Sequence, residues 1–333
     1  MTETNYKMIK DIKEVIVYSR QKVSYEVNNT MIIAYWNVGK IIVQNEQNGN
    51  IKAEYGKQTL KEVSKELRKI LGNGFSVSNL QYMRKFYITY PKQQTLSVKL
   101  SWSHYCELLS IENSDERNFY EKECINSNWS VRELKRQIDT SLFERLLLSE
   151  GKMNKKRVYE LSKNGQNLFK PKDILKEPYV FEFLGIPENK PILEKDLENK
   201  LVKHMEEFLL ELGKGFMFVG IQQRITINNI HYYVDMVFYN KILKCYVLID
   251  LKIGNMKPEY AGQMNMYLNY YTNEINDTYD NKPIGIILCK GKDEVVLEYA
   301  LGGLENNLFT STYTYYIPNK EQLIREVEKA LNQ

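Results

Sequence analysis

The sequence contains little cysteine and little histidine. Its 333 residues include only four cysteines and three histidines. None of the cysteines forms a C-x-x-C pair, which argues against a zinc site and against a disulfide framework. We therefore expect no zinc and four reduced, mostly buried thiols: Cys106, Cys124, Cys245 and Cys289.

Long apolar runs are also absent. The longest apolar stretches have the length of a strand, and none reaches the roughly 20 residues that a membrane-spanning helix needs. The first ten residues are polar and lack the apolar core of a secretory signal. The net charge of +4 is too small to indicate a nucleic-acid partner by itself. We expect a soluble, cytoplasmic protein with no membrane partner.

The residues that are present form two regions. Residues 1–150 carry apolar side chains at helical spacing, which predicts an all-helical domain. Residues 179–333 mix helical patterns with β-branched and aromatic runs that are typical of strands. Between them, residues 151–178 are basic and contain glycine, asparagine and proline, which predicts an irregular connector. The expected fold class is α+β overall.

The two regions differ in their predicted elements. The first predicts helices capped by Ser76 or Ser78 and by a Ser130–Glu133 capping box: Met31–Val43, Thr59–Leu71, Asn79–Tyr90 and Val131–Ile138. The second predicts the order α-β-β-β-α-β around a mixed sheet. These elements are Glu194–Leu212, Phe216–Ile227, His231–Tyr239, Lys244–Leu251, Pro258–Tyr271 and Pro283–Cys289.

Two of the predicted strands carry an acid within an apolar run. Asp235 lies in the first and Asp250 in the second, and Lys252 follows two residues later. A two-residue loop between the strands would place Asp235 diagonal to Asp250, and a four-residue loop would place it directly opposite. Because strand side chains alternate, either even loop brings all three residues to one face.

Two carboxylates and a lysine on one face suit phosphodiester cleavage. Carboxylate oxygens select a hard cation such as Mg²⁺ or Mn²⁺. The lysine can orient a water molecule, assist its deprotonation or stabilise a pentavalent phosphate. The simpler alternative is a structural ion pair between Asp250 and Lys252, with Asp235 capping a turn.

At this point the sequence resembles the PD-(D/E)XK nuclease superfamily, and more closely the YhcG-like family of bacterial proteins. In that family an all-helical N-terminal domain of unknown function precedes the nuclease domain. The similar segments of the first region are 35–39 (YWNVG), 74–80 (GFSVSNL), 83–87 (MRKFY), 100–105 (LSWSHY) and 128–134 (NWSVREL). Those of the second are 196–198 (DLE), 208–213 (FLLELG), Asp235 in YVDMVFY, 249–252 (IDLK) and 257–264 (KPEYAGQM).

The resemblance implies a restriction-endonuclease-like α/β domain and a role for each site residue. Asp235, Asp250 and Lys252 match the catalytic elements, although Val234 stands where the superfamily often has proline. Glu198 resembles the acid on the first core helix, so the implied metal ligands are Asp235, Asp250 and Glu198. Gln263 resembles a polar residue that some members place beside the site.

The helical region offers candidate contacts to nucleic acid. Its predicted helices carry basic residues that suit phosphate binding, and the glycine-bearing turn around residues 72–76 suits a helix-turn-helix. The candidates are Arg84, Lys85, Arg132, Lys135 and Arg136. The sequence thus predicts a metal-dependent nuclease acting on DNA, with a homodimer favoured for cutting both strands. The alternative is a non-catalytic nucleic-acid-binding or assembly protein with a vestigial nuclease fold.

Overall fold

The structure is a computed structural model that describes residues 3–48, 53–97, 99–149, 155–187, 191–293, 300 and 307–331. The chain divides into two compact units, residues 1–135 and residues 136–333. Across the described ranges, no helix combines the length and the apolar character that crossing a membrane requires.

The first unit is helical, as the sequence predicts. The helix predicted at Met31–Val43 belongs to a much longer one, and Ser76 rather than Ser78 caps α3, accepting a hydrogen bond from the Asn79 amide at 3.2 Å. The helices are α1 (Glu3–Asn48), α2 (Ala53–Leu71), α3 (Val77–Thr89), α4 (Trp102–Leu108), α5 (Ser114–Ser127) and α6 (Val131–Asp139), the last of which crosses the boundary between the units.

Helices α1 and α3 approach each other closely at Gly39. A Cβ atom at that position would lie 2.0 Å from the carbonyl oxygen of Met83, so only glycine allows this contact. Nearby, the Trp36 indole donates to the Tyr90 carbonyl at 2.7 Å, and Phe86 is fully buried. The YWNVG segment therefore has a packing role in the helical unit.

The second unit contains a six-stranded mixed sheet in the order β1-β6-β5-β4-β3-β2. Strands β2, β3 and β4 are antiparallel neighbours, whereas β4, β5, β6 and β1 are parallel. The strands are β1 (Tyr179–Val180), β2 (Phe216–Ile227), β3 (Ile230–Asn240), β4 (Cys245–Leu251), β5 (Ile284–Cys289) and β6 (Asn307–Thr314). The helices are α7 (Leu142–Leu148), α8 (Lys155–Asn164), α9 (Glu194–Lys203), α10 (Met205–Leu212), α11 (Pro258–Tyr270) and α12 (Lys320–Leu331).

Helices cover both faces of this sheet. On one face, Phe238 and Ile249 pack in a cluster with Leu201 of α9 and Phe208 of α10. On the other face, Leu248 packs in a cluster with residues of α11, including Met264. The predicted αβββαβ core is confirmed, and with it the restriction-endonuclease-like arrangement of the sheet.

Several local predictions were wrong. The helix predicted at Glu194–Leu212 is broken at His204, where the backbone leaves helical geometry with φ −110° and ψ 39°. The predicted irregular connector holds helix α8. Strands β1 and β6 were missed, because β1 has only two residues and β6 has no continuous apolar run.

A buried charge network ties the start of the second unit to α10. Glu211 is fully buried, and its carboxylate accepts hydrogen bonds from Arg145 at 2.5 Å and from Arg136 at 3.1 Å. Burial opposes ionisation of Glu211, but Arg145, Lys176 and Arg136 outweigh it and lower its pKa to about 2. The buried arginine and glutamate are thereby mutually compensated.

Candidate active site at the β3–β4 edge

The hairpin register decides how the acids of β3 and β4 face each other. Met236 pairs with Ile249 and Asn240 with Cys245, which leaves a four-residue loop. Continuing this register by one residue places Asp235 opposite Asp250, the closer of the two predicted arrangements. The Asp235 carboxylate also accepts the backbone N–H of Leu251 at 2.8 Å, so it takes over a hydrogen bond where the ladder ends.

Asp250 is a buried carboxyl group with an unusual charge balance. Its side chain is 2% exposed and lies 2.9 Å from the ammonium of Lys252. Burial raises the pKa of Asp250 to about 7, the negative charge of Asp235 adds to the rise, and Lys252 only partly opposes it. The ionised form therefore needs more positive charge than Lys252 supplies.

Lys252 lies among acidic and aromatic groups. Its Nζ is 3.4 Å from Oε1 of Glu194 and 5.2 Å from the centre of the Tyr260 ring. Burial lowers the pKa of Lys252, but the charges of Asp250, Asp235 and Glu194 outweigh it and raise the pKa overall. The protonated form of Lys252 is therefore favoured. Glu194 and Tyr260 were not identified from the sequence as neighbours of the site.

Glu198 reaches the aspartates through an intermediate residue. The Gln222 side-chain amide donates to Glu198 Oε2 at 2.9 Å and to Asp235 Oδ1 at 3.2 Å. Burial raises the pKa of Glu198, with the charges of Asp235 and Glu194 adding to the rise and the Gln222 hydrogen bond opposing it. Sequence reasoning missed Gln222, although a polar segment within an otherwise apolar strand was a usable signal.

Gln263 contacts the site through a tyrosine. Its amide donates to the Tyr267 hydroxyl at 2.5 Å, and that hydroxyl donates to the Tyr233 carbonyl at 3.1 Å. Burial raises the pKa of Tyr267, and the charges of Asp250 and Asp235 raise it further. Tyr267, one turn after Gln263 on α11, is a second neighbour of the site that sequence reasoning missed.

The donor set fits a hard divalent cation. Asp235 and Asp250 provide carboxylate oxygens, the preferred ligands of Mg²⁺ and Mn²⁺. Oδ2 of Asp250 is fully buried. The Lys252 ammonium lies 2.9 Å from it, as an ion-pair contact outside hydrogen-bond geometry. The described residues hold no group of three or more His, Cys, Asp or Glu side chains arranged to bind a metal. A cation here would therefore complete its shell with water, backbone carbonyls or substrate oxygens.

The basic residues predicted to bind nucleic acid have different surroundings. Lys85, Arg132 and Lys135 are exposed. The Nε of Arg84 donates to both carboxylate oxygens of Glu46, at 2.9 and 2.7 Å. Arg136 is held by Glu182 at 2.7 Å and by Glu211, so its guanidinium serves the buried network of the second unit. Lys85, Arg132 and Lys135 thus remain candidates for phosphate contacts.

Comparisons with known proteins agree with this architecture. The YhcG PDDEXK nuclease domain matches residues 172–330, and the DUF1016 N-terminal domain matches residues 11–145. A protein of Escherichia coli (strain K12), named "Putative nuclease YhcG", is 36% identical over 359 aligned positions, which span 98% of this chain and 94% of that protein.

Solved structures give only a partial match. A repair endonuclease from Pyrococcus abyssi is 16% identical with a TM-score of 0.27, covering 38% of this chain and 49% of that one. An EndoMS–dsDNA complex is 14% identical with a TM-score of 0.27, covering 40% of this chain and 51% of that one.

The match to the Escherichia coli relative spans almost the entire sequence, and both domain models fit in order. The chain therefore belongs to the YhcG family of PDDEXK nucleases, with a DUF1016 N-terminal domain before the nuclease domain.

Proposed function

We propose that this protein is an endonuclease that hydrolyses phosphodiester bonds in DNA with the help of Mg²⁺ or Mn²⁺. The observation that carries the proposal is the placement of Asp235 opposite the buried Asp250, with the Lys252 ammonium 2.9 Å from Asp250. Two acids in this position repel each other, and a structural ion pair needs only one of them. The two carboxylates are better explained as ligands of a cation.

Each residue has a distinct part in the proposed reaction. Asp235 and Asp250 hold the cation, which when bound supplies charge neutralisation at the scissile phosphate and an activated water. The acidic neighbours of Lys252 raise its pKa in the metal-free site, which favours its protonated form. In that form it acts as a positive charge and hydrogen-bond donor toward the water or the phosphate. Glu198 would contact the cation through one of its bound water molecules.

The remaining predicted residues support this site. Gln263 donates a hydrogen bond to the Tyr267 hydroxyl, whose pKa the charges of Asp250 and Asp235 raise. In the helical unit, the exposure of Lys85 and Arg132 supports a role for them in contacting phosphates. The short turn between helices α2 and α3 supports a DNA-reading motif. We propose that this unit recognises DNA or a partner protein.

The proposal is tested with purified protein and supercoiled, linear and branched DNA in Mg²⁺ or Mn²⁺. Cleavage is expected with metal, and none with EDTA or in Asp250→Ala. The control Asp196→Ala changes an exposed acid of α9 and should cleave like the wild type. Metal-dependent cleavage that survives Asp250→Ala would refute the site. Cleavage of RNA alone would refute the DNA assignment, and no cleavage of either would favour the non-catalytic alternative.

A further inference from the structure

A bulge in strand β2 determines which residue lies opposite Asp235. The register of β2 against β3 shifts by one residue between Phe218 and Gly220. In the earlier register Ile221 would lie opposite Asp235, whereas after the shift Gln222 takes that place. An inserted residue of this kind changes the face toward which the following side chains point, and such bulges are frequent beside active sites.

The backbone at Gln222 is itself in a rare conformation. Its φ of +46° lies in the left-handed region, which residues with a Cβ seldom adopt within a strand. Conformations of this type persist where the surrounding contacts impose them, and they concentrate at functional sites.

The side chain of Gln222 joins two elements of the site. Its amide nitrogen carries two hydrogens, and the acceptors are Glu198 on α9 at 2.9 Å and Asp235 on β3 at 3.2 Å. Two carboxylates would otherwise repel each other across this gap. Because one nitrogen contacts both, their oxygens are at most about 6 Å apart, within the span of one cation and its bound water.

We propose that Gln222 is a positioning residue of the nuclease site, whose amide holds Glu198 beside Asp235 in readiness for the divalent cation. This inference rests on the proposed function and adds a residue to it. Glu198 has a flexible side chain that is partly exposed on a helix. Without the amide, repulsion from Asp235 turns it toward solvent, and the cation loses a water-mediated ligand.

The first test measures Mn²⁺ binding without DNA, by isothermal titration calorimetry. In Gln222→Gly the backbone keeps its favoured conformation while the amide is removed. We expect Mn²⁺ to bind about tenfold more weakly, as when a partner of a metal ligand is lost. The unfolding temperature in EDTA should stay close to that of the wild type. In the control, Gln223→Ala, the removed amide donates to the Ile221 carbonyl at 3.4 Å, and Mn²⁺ affinity should not change.

A second variant tests the chemistry of the amide. Gln222→Glu has nearly the same shape but replaces the donor by a third negative charge. We expect it to unfold at a lower temperature in EDTA and to gain more than the wild type from added Mn²⁺. Equal gains in the two proteins would overturn the proposed role of the amide donor.

The outcomes separate this inference from the proposed function. If the wild type binds Mn²⁺ and cleaves DNA, and Gln222→Gly binds Mn²⁺ equally well, the role of Gln222 is refuted and the nuclease assignment stands. If the wild type neither binds Mn²⁺ nor cleaves, the nuclease assignment itself fails. Weaker Mn²⁺ binding by Gln222→Gly, with cleavage restored at higher Mn²⁺, supports both.

Discussion

Replacing Asp250 with asparagine should stabilise the metal-free protein while abolishing cleavage. Asp250 is 2% exposed and lies opposite Asp235, and its pKa is raised from 3.8 to about 7. In the unfolded chain the carboxyl ionises near its ordinary pKa, so the folded state loses stability as pH rises from about 4 to 7. Asparagine has almost the same shape and carries no charge to desolvate.

The magnitude follows from this pKa difference. About three pKa units correspond to about 4 kcal/mol above pH 7. Lys252 at 2.9 Å opposes the rise, so the loss of its ion-pair partner is already contained in the pKa of about 7. The net gain is therefore about 4 kcal/mol, or about 8–16 °C in unfolding temperature for a unit of this size.

Thermal unfolding followed by circular dichroism in EDTA, at pH 8 and at pH 5, measures this effect. Asp250→Asn should unfold at a higher temperature than the wild type at pH 8, and its advantage should shrink at pH 5. Asp196→Asn, at an exposed position of α9, should follow the wild type at both pH values. An Asp250→Asn protein less stable than the wild type at pH 8 would refute the reasoning.

Three further predictions concern binding, turnover and stability. Since Asp250 must be ionised to bind a cation, Mn²⁺ affinity should rise about tenfold per pH unit up to about pH 7 and then level off; calorimetry showing constant affinity from pH 5.5 to 7 would contradict this. Lys252→Met should lower kcat at least about 100-fold and change the Kd for DNA by less than about threefold; Lys257→Met, an exposed neighbour of the same tyrosine ring, is its control. Glu211→Gln should cost about 3–5 kcal/mol in the free energy of unfolding, because Arg145 is left buried without its counter-charge; a loss below 1 kcal/mol in urea unfolding would argue against this.

The main part of the site could be predicted from the sequence because it depends on local geometry. Asp235, Asp250 and Lys252 share a face through strand alternation, and the short hairpin limits the possible registers to a few. The choice between the two even loops could not be made from sequence. It was made by the pairing of Asn240 with Cys245, which a pattern of apolar residues does not encode.

Contacts between distant elements could not be predicted in this way. Arg136 lies in a basic helix of the kind that binds nucleic acid. Its guanidinium nevertheless donates to Glu182 and Glu211, which are at least 46 residues away in the sequence. Sequence spacing carries no information about such partners, since they are brought together by the tertiary structure of the second unit.

The sequence by itself thus determined the order of the αβββαβ core, the family and the acid–acid–lysine set, because strand and helix periods and short loops are local properties of the chain. Only the tertiary structure decided that Glu198 reaches Asp235 through Gln222. That contact depends on a one-residue bulge in β2 and on a left-handed backbone, which reverse the face predicted by simple alternation. Its physical reason lies in the packing of α9 on one face of the sheet, which brings three separate segments together.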